Sequence, residues 1–140
     1  MNIVLDASAA VGLVLDLPGT ELFTAPLEQA ALVTSPDLFI AEVGNALWKY
    51  RKADLLPMVR CELAFEQALS LPDRIEPSST LHLEAFALAC RHLQPVYDTL
   101  YLVLARRNNA VLLTLDRRLA ALAGQLEIEV VIPSKPPSVA

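Results

Sequence analysis

VLDASA, residues 4–9 of the opening MNIVLDASAA, is the stretch on which the fold turns. Ile3-Val4-Leu5 has the character of a short buried strand, and it ends in a carboxylate, Asp6, before passing directly into small helix-forming residues. A short apolar run without alternation, followed by a helix, begins a β–α unit, and repeats of that unit build a parallel sheet covered on both faces. The rest of the chain repeats it. Hydrophobic period and punctuation predict a strand over Asn2 to Asp6, helices over Ser8 to Leu15 and Thr20 to Ala31, a second strand over Leu32 to Ser35, and a long helix over Pro36 to Arg51. Helices follow over Leu55 to Leu71 and Leu81 to His92, with a brief strand at Arg74 to Glu76 between them. Tyr97 to Arg107 is a helix, Val111 to Thr114 a strand, Arg117 to Ala123 a helix and Glu129 to Ile132 a last strand. The expected fold is therefore α/β, one domain over residues 1–132, with a Pro-rich tail, PSKPPSVA at 133–140, expected to be disordered.

Composition agrees with one globular domain. A chain of 140 residues is long enough for a real core. Its apolar fraction of 54% lies slightly above the ~45–50% of average soluble chains. No uninterrupted apolar run exceeds that of Leu100 to Ala105, far short of the ~20 residues that cross a bilayer. No Lys or Arg precedes the first apolar stretch and Asp6 interrupts it, so a secretion signal is not expected and a cytoplasmic location is. Cys61 and Cys90 lack the paired spacing of a zinc site and read as buried free thiols. A net charge of −5 argues against a nucleic-acid partner, yet most Lys and Arg fall in two windows, 49–60 and 91–118, and local charge decides such binding.

In open parallel sheets, ligands bind beyond the carboxyl ends of the strands. Asp6 closes the first strand, and Asp116 follows VLLT, so two acids share one rim. Two more come from helix starts. In SPDLFIAEVGNALWKY, Ser35 is expected to cap a helix whose first residue is Pro36, with Asp37 in the first turn and Glu42 in the second. Leu38, Glu42, Asn45 and Lys49 then share one stripe beside an apolar face of Phe39, Val43, Ala46, Leu47 and Tyr50. In PVYDTLYLVLA, Asp98 lies in the first turn of an otherwise apolar helix, where the helix dipole favours its ionised form. Taken singly, each acid has a plainer role: Asp6, Asp98 and Asp116 as helix caps, Glu42 as a partner for Lys49 or a solvated helix acid. Four carboxylates converging on one rim need a cation, and hard oxygen donors without His or Cys suit Mg²⁺ or Mn²⁺. With no His pair (His82 and His92 fall about 80° apart on the helical wheel) and no Ser or Cys beside a base, the expected nucleophile is a metal-activated water attacking a phosphodiester in line.

Together VLDASA, PDLFIAEVGNAL and YDTLYLVLARRNNAVLLTLDRRL resemble the PIN-domain ribonucleases, specifically the VapC-type toxins of prokaryotic toxin–antitoxin pairs, over essentially the whole chain. The resemblance implies a divalent-metal endoribonuclease cutting single-stranded or looped RNA to 5′-phosphate and 3′-hydroxyl ends. It puts the catalytic and metal-binding acids at Asp6, Glu42, Asp98 and Asp116. Ser8, Asn45 and Thr114 match positions that support the site, with local capping as the alternative for each. It also implies a VapB-like antitoxin whose basic side chain covers the acids, and a toxin homodimer. Arg117 and Arg118, next to Asp116, are the first candidates for the RNA backbone, and Lys49, Arg51 and Lys52 the second. Trp48 and Tyr50 are expected in the core or a subunit contact. Two rivals differ in class: a haloacid-dehalogenase-type phosphatase, which expects an acid where Ser8 stands, and a catalytically silent PIN-like RNA-binding or interaction module.

Overall fold

A computed structural model describes residues 1–134. The elements run β1 (Asn2–Leu5), α1 (Ala7–Val14), a 3₁₀ turn (Thr20–Phe23), α2 (Thr24–Gln29), β2 (Leu32–Pro36), α3 (Leu38–Lys52) and α4 (Met58–Leu69). They continue with β3 (Arg74–Glu76), a second 3₁₀ turn (Ser78–Thr80), α5 (His82–His92), α6 (Val96–Asn108), β4 (Val111–Leu113), α7 (Arg117–Gln125) and β5 (Val130–Val131). The strands form one sheet in the order β3-β2-β1-β4-β5, every neighbouring pair parallel. The α/β expectation is thereby met.

Side chains on the central strands alternate between two apolar layers, as the pleat requires. Val4 and Leu112 point to the face covered by α5, α6 and α7; Ile3, Leu5, Val111 and Leu113 point to the face covered by α1, α3 and α4. Ile3, Val4 and Leu5 are fully buried, and removing each such side chain from water contributes on the order of 1.5–3 kcal/mol. Helix α6 is buried continuously from Asp98 to Ala105, which explains its nearly unbroken apolar sequence. Gly19 sits at φ +88°, and a Cβ there would meet the ring of Pro133 at 2.7 Å, so glycine is required both by conformation and by space. Pro133 is itself buried and its carbonyl accepts from Arg117 Nη2 at 2.9 Å. The packed chain thus extends past residue 132. The remainder of the expected tail, 135–140, lies outside the described residues.

Several boundaries move. Ser35 does not cap α3: it is buried in β2, and its hydroxyl donates to the Leu5 carbonyl at 2.6 Å. Pro36 ends β2 rather than opening the helix, because the ladder with β3 continues through Pro36 opposite Glu76 and through the Asp37 N–H onto the Glu76 carbonyl. Asp37 then reaches sideways to bind the amide and hydroxyl of Ser78. The span from Thr20 to Ala31 is a 3₁₀ turn and a short helix rather than one helix. Cys61 is buried as expected, but Cys90 is exposed. Trp48 is 54% exposed and so is not a core residue. Among the described residues no helix is long and apolar enough to cross a membrane.

Candidate active site

The chain leaves β1 toward β2 and β3 on one side, and returns to place β4 and β5 on the other. The crevice where strand order reverses therefore opens between the ends of β1 and β4, the place where α/β sheets bind ligands. Asp6 and Asp116 flank it. The Asp6 amide continues the ladder onto the Leu113 carbonyl at 3.0 Å, which fixes its backbone to β4. Its side chain is 6% exposed, and Oδ2 accepts from Ser8 Oγ at 2.6 Å and Thr114 Oγ1 at 2.7 Å. Those hydroxyls are held in turn by backbone amides: Leu115 N–H donates to Ser8 Oγ and Asp116 N–H to Thr114 Oγ1, each at 2.9 Å. Each hydroxyl oxygen thus accepts from an amide and donates its proton to Asp6. Asp6 stands at the N-terminal flank of α1 without forming a side-chain cap. Burial pushes its proton affinity up and the Asp116 charge adds to this, while the Ser8 and Thr114 bonds oppose it.

Asp116 does cap its helix: Oδ1 accepts from the amides of Arg118 (2.9 Å) and Leu119 (3.2 Å) at the start of α7. The plainer role is real here and costs the site nothing, since the capping geometry is what fixes this carboxylate on the rim. Glu42, from the second turn of α3, accepts at Oε1 from the Tyr101 hydroxyl at 2.6 Å. Burial, joined by the charges of Asp6, Asp98 and Asp116, raises its pKa to about 7 against the opposing Tyr101 bond. Asp98 is 7% exposed at the start of α6. Arg118 Nη2 lies 3.4 Å from its Oδ1 and 3.1 Å from its Oδ2, but Oδ2 has no aligned donor and is shut off from water. The helix start favours the anion, but burial, together with the Asp116 charge, prevails over Arg118 and raises the pKa of Asp98.

The four acids are therefore gathered within electrostatic reach of one another. Without a counter-ion, burial and mutual repulsion raise the proton affinity of Asp6, Glu42 and Asp98. Among the described residues, no three Asp, Glu, His or Cys side chains group tightly enough to hold one metal ion. The donors nevertheless fit a hard divalent cation in kind: they are all carboxylate oxygens, and one of them is a buried oxygen without an aligned donor.

The remaining expected residues separate. Ser8 and Thr114 join the site. Asn45 is exposed one turn beyond Glu42, and its side chain makes no hydrogen bond among the described residues. Lys49 is exposed on the same stripe, about 10 Å farther along the axis. Arg51 pairs with Asp54 at 2.9 Å, and Lys52 lies 5.0 Å above the Trp48 ring, so that cluster is not brought to the acids by the fold. Arg118 faces the site and Arg117 turns to Pro133. Tyr101 was not foreseen. The available signal was a polar tip on a buried apolar helix, one turn after Asp98.

A family model described as the PIN domain matches residues 3–125. The chain belongs to the PIN domain family. This PIN chain is 34% identical over 122 residues to the protein named Ribonuclease VapC3 of Pyrobaculum aerophilum, spanning 86% of this chain and 93% of that one. The crystal structure of PAE2754 from the same organism matches with a TM-score of 0.67 at 26% identity, covering 86% of this chain and 78% of the other. VapBC2 from Rickettsia felis, solved bound to a DNA fragment from their promoter, matches at TM-score 0.64 and 13% identity over 96% and 100% of the two chains, a likeness of fold. PIN membership removes the haloacid-dehalogenase alternative.

Proposed function

We propose that this PIN protein is a divalent-metal-dependent endoribonuclease acting on single-stranded or looped RNA, and the toxin of a toxin–antitoxin pair. The observation that carries the proposal is the gathering of Asp6, Glu42, Asp98 and Asp116 at the strand-reversal crevice of a PIN fold. A 34% identical relative named as a ribonuclease supports the substrate class. Asp6, Glu42, Asp98 and Asp116 would hold Mg²⁺ or Mn²⁺. When bound, the ion supplies Lewis acidity and charge neutralisation for in-line hydrolysis of a phosphodiester. Ser8 and Thr114 keep Asp6 oriented and favour its ionised form against the effect of burial. Arg118, free to turn from Asp98 toward solvent at 60% side-chain exposure, orients the phosphate. An antitoxin presenting a basic side chain would complement the same acids, and a homodimer in the cytoplasm completes the reading.

The test is cleavage of single-stranded RNA by the purified chain. Activity is expected with Mg²⁺ or Mn²⁺, to be abolished by EDTA and to yield 5′-phosphate ends. Asp6→Asn is expected to lose cleavage while keeping RNA binding. Full activity in excess chelator with cyclic phosphate products would overturn the metal mechanism, and metal-independent binding without any cleavage would leave the silent-module alternative.

A further inference from the structure

The four acids differ in how they are held. Three are aspartates, with short arms rooted at a strand end or a helix start, and each has donors close by in the chain or on the rim: Ser8 and Thr114 for Asp6, the Arg118 and Leu119 amides for Asp116, the Arg118 guanidinium for Asp98. Glu42 has a longer arm with more rotamer freedom to lose, emerges mid-helix, and has one side-chain donor, the Tyr101 hydroxyl. That donor is unusually immobile. The Tyr101 ring is 1% exposed and packed in the core layer with Val4, Leu81 and Leu88, so the hydroxyl cannot swing away without opening close-packed interior.

The contact also crosses the sheet. Tyr101 belongs to α6 on one face, Glu42 to α3 on the other, and the Ala7 amide at the start of α1 lies beside the same phenol oxygen. The phenol donates its proton to Glu42 Oε1 across 2.6 Å. Because Tyr101 follows Asp98 by one helical turn, the rigid ring references Glu42 to the helix that carries Asp98.

We infer that Tyr101 is the positioning residue of this site, its hydroxyl fixing one oxygen of Glu42 so that the other is presented to a divalent cation. The inference rests on the metal-dependent reading of the acids given above.

Tyr101→Phe retains the ring and removes the donor. Calorimetric titration of the folded variant with Mn²⁺ is expected to give about 10–100-fold weaker binding, the usual consequence of losing an outer hydrogen bond to a metal-holding group. On single-stranded RNA, kcat is expected to fall with little change in KM. A merely structural role would lower the melting temperature and leave the Mn²⁺ affinity of the folded protein unmoved. In a Glu42→Gln background, Tyr101→Phe is expected to add no further loss, since it acts through the side chain already altered. Wild-type Mn²⁺ affinity in Tyr101→Phe, alongside weakened binding in Glu42→Gln, overturns the Tyr101 inference alone. If the wild type takes up no Mn²⁺, or Glu42→Gln binds it normally, the metal reading of Glu42 fails and the inference falls with it. Should Tyr101→Phe not fold, the wild type still decides. Its Tyr101 hydroxyl proton is expected to exchange slowly in metal-free NMR spectra and to lose that protection in Glu42→Ala, and protection unchanged by Glu42→Ala overturns the inference.

Discussion

Glu42 binds a proton more tightly in the folded chain than in the unfolded one, its pKa lying at about 7 against an ordinary 4.5. The sign of its effect on stability follows from linkage. A group whose folded pKa is raised stabilises the fold fully below its unfolded pKa, and that contribution is lost as pH rises through the folded value. The metal-free protein is therefore expected to lose melting temperature between about pH 5 and pH 8, and Glu42→Gln, which has no charge to bury, is expected to flatten part of that decline. Melts across that window check this, and equal pH slopes in the two proteins would place the burden elsewhere. At this scale the sequence was informative where a carboxylate ended a predictable segment. Asp6 closes a strand and Asp98 opens an apolar helix, and both positions follow from local pattern. The proton affinity of Asp98 was not legible, because it depends on how completely neighbouring elements exclude water from a helix start that, alone, favours the anion. Tyr101 was not legible for the same reason: its partner lies 59 positions away.

Elements end as well as begin under local rules. Helix α6 stops at Asn109, φ +48°, a residue type that tolerates the left-handed region. Helix α5 stops at Leu93, φ +54°, a branched side chain in the same region and 87% exposed, so it gains little from burial there. Leu93→Gly is expected to stabilise the protein by about 1 kcal/mol, the cost of holding an L-residue in that conformation. Thermal or urea unfolding of the variant measures it, and a lower midpoint would mean that Leu93 is held by packing not evident from its exposure. This turn also aims the start of α6, and with it Asp98, at the rim. The helices with strong apolar periodicity were predictable to within a few residues. The start of α3 was not. Ser-Pro-Asp has the composition of a capped helix, and only the pairing of β2 with β3, set by residues 40 positions on, keeps Pro36 in the strand.

Over the whole molecule the net charge is −5, and the rim that would receive RNA is itself acidic. Attraction for a polyanion must come from particular cations. Arg118 faces the acids with an exposed guanidinium, while Arg117 is occupied by the Pro133 carbonyl. Arg118→Ala is accordingly expected to lower the dependence of log binding constant on log salt by about 0.7 for single-stranded RNA, and Arg117→Ala to change it less. Titrations at several salt concentrations with Asp6→Asn, to prevent cleavage, give the slopes; a slope moved more by Arg117→Ala would reverse the assignment. The parallel sheet itself was evident from short apolar strands alternating with helices, whereas the convergence of the four acids was not, since it depends on side-chain directions on four separate elements. The placement of β1 between β2 and β4 has one more consequence, in the order of synthesis. Thr114, which holds Asp6, lies 108 positions after it, and β1 gains its β4 partner only when the last quarter of the chain exists. A polypeptide still being made on the ribosome therefore lacks Asp116, the Thr114 bond and one side of its central strand. The arrangement that gathers the four acids is therefore absent from any nascent chain that has not yet reached Asp116.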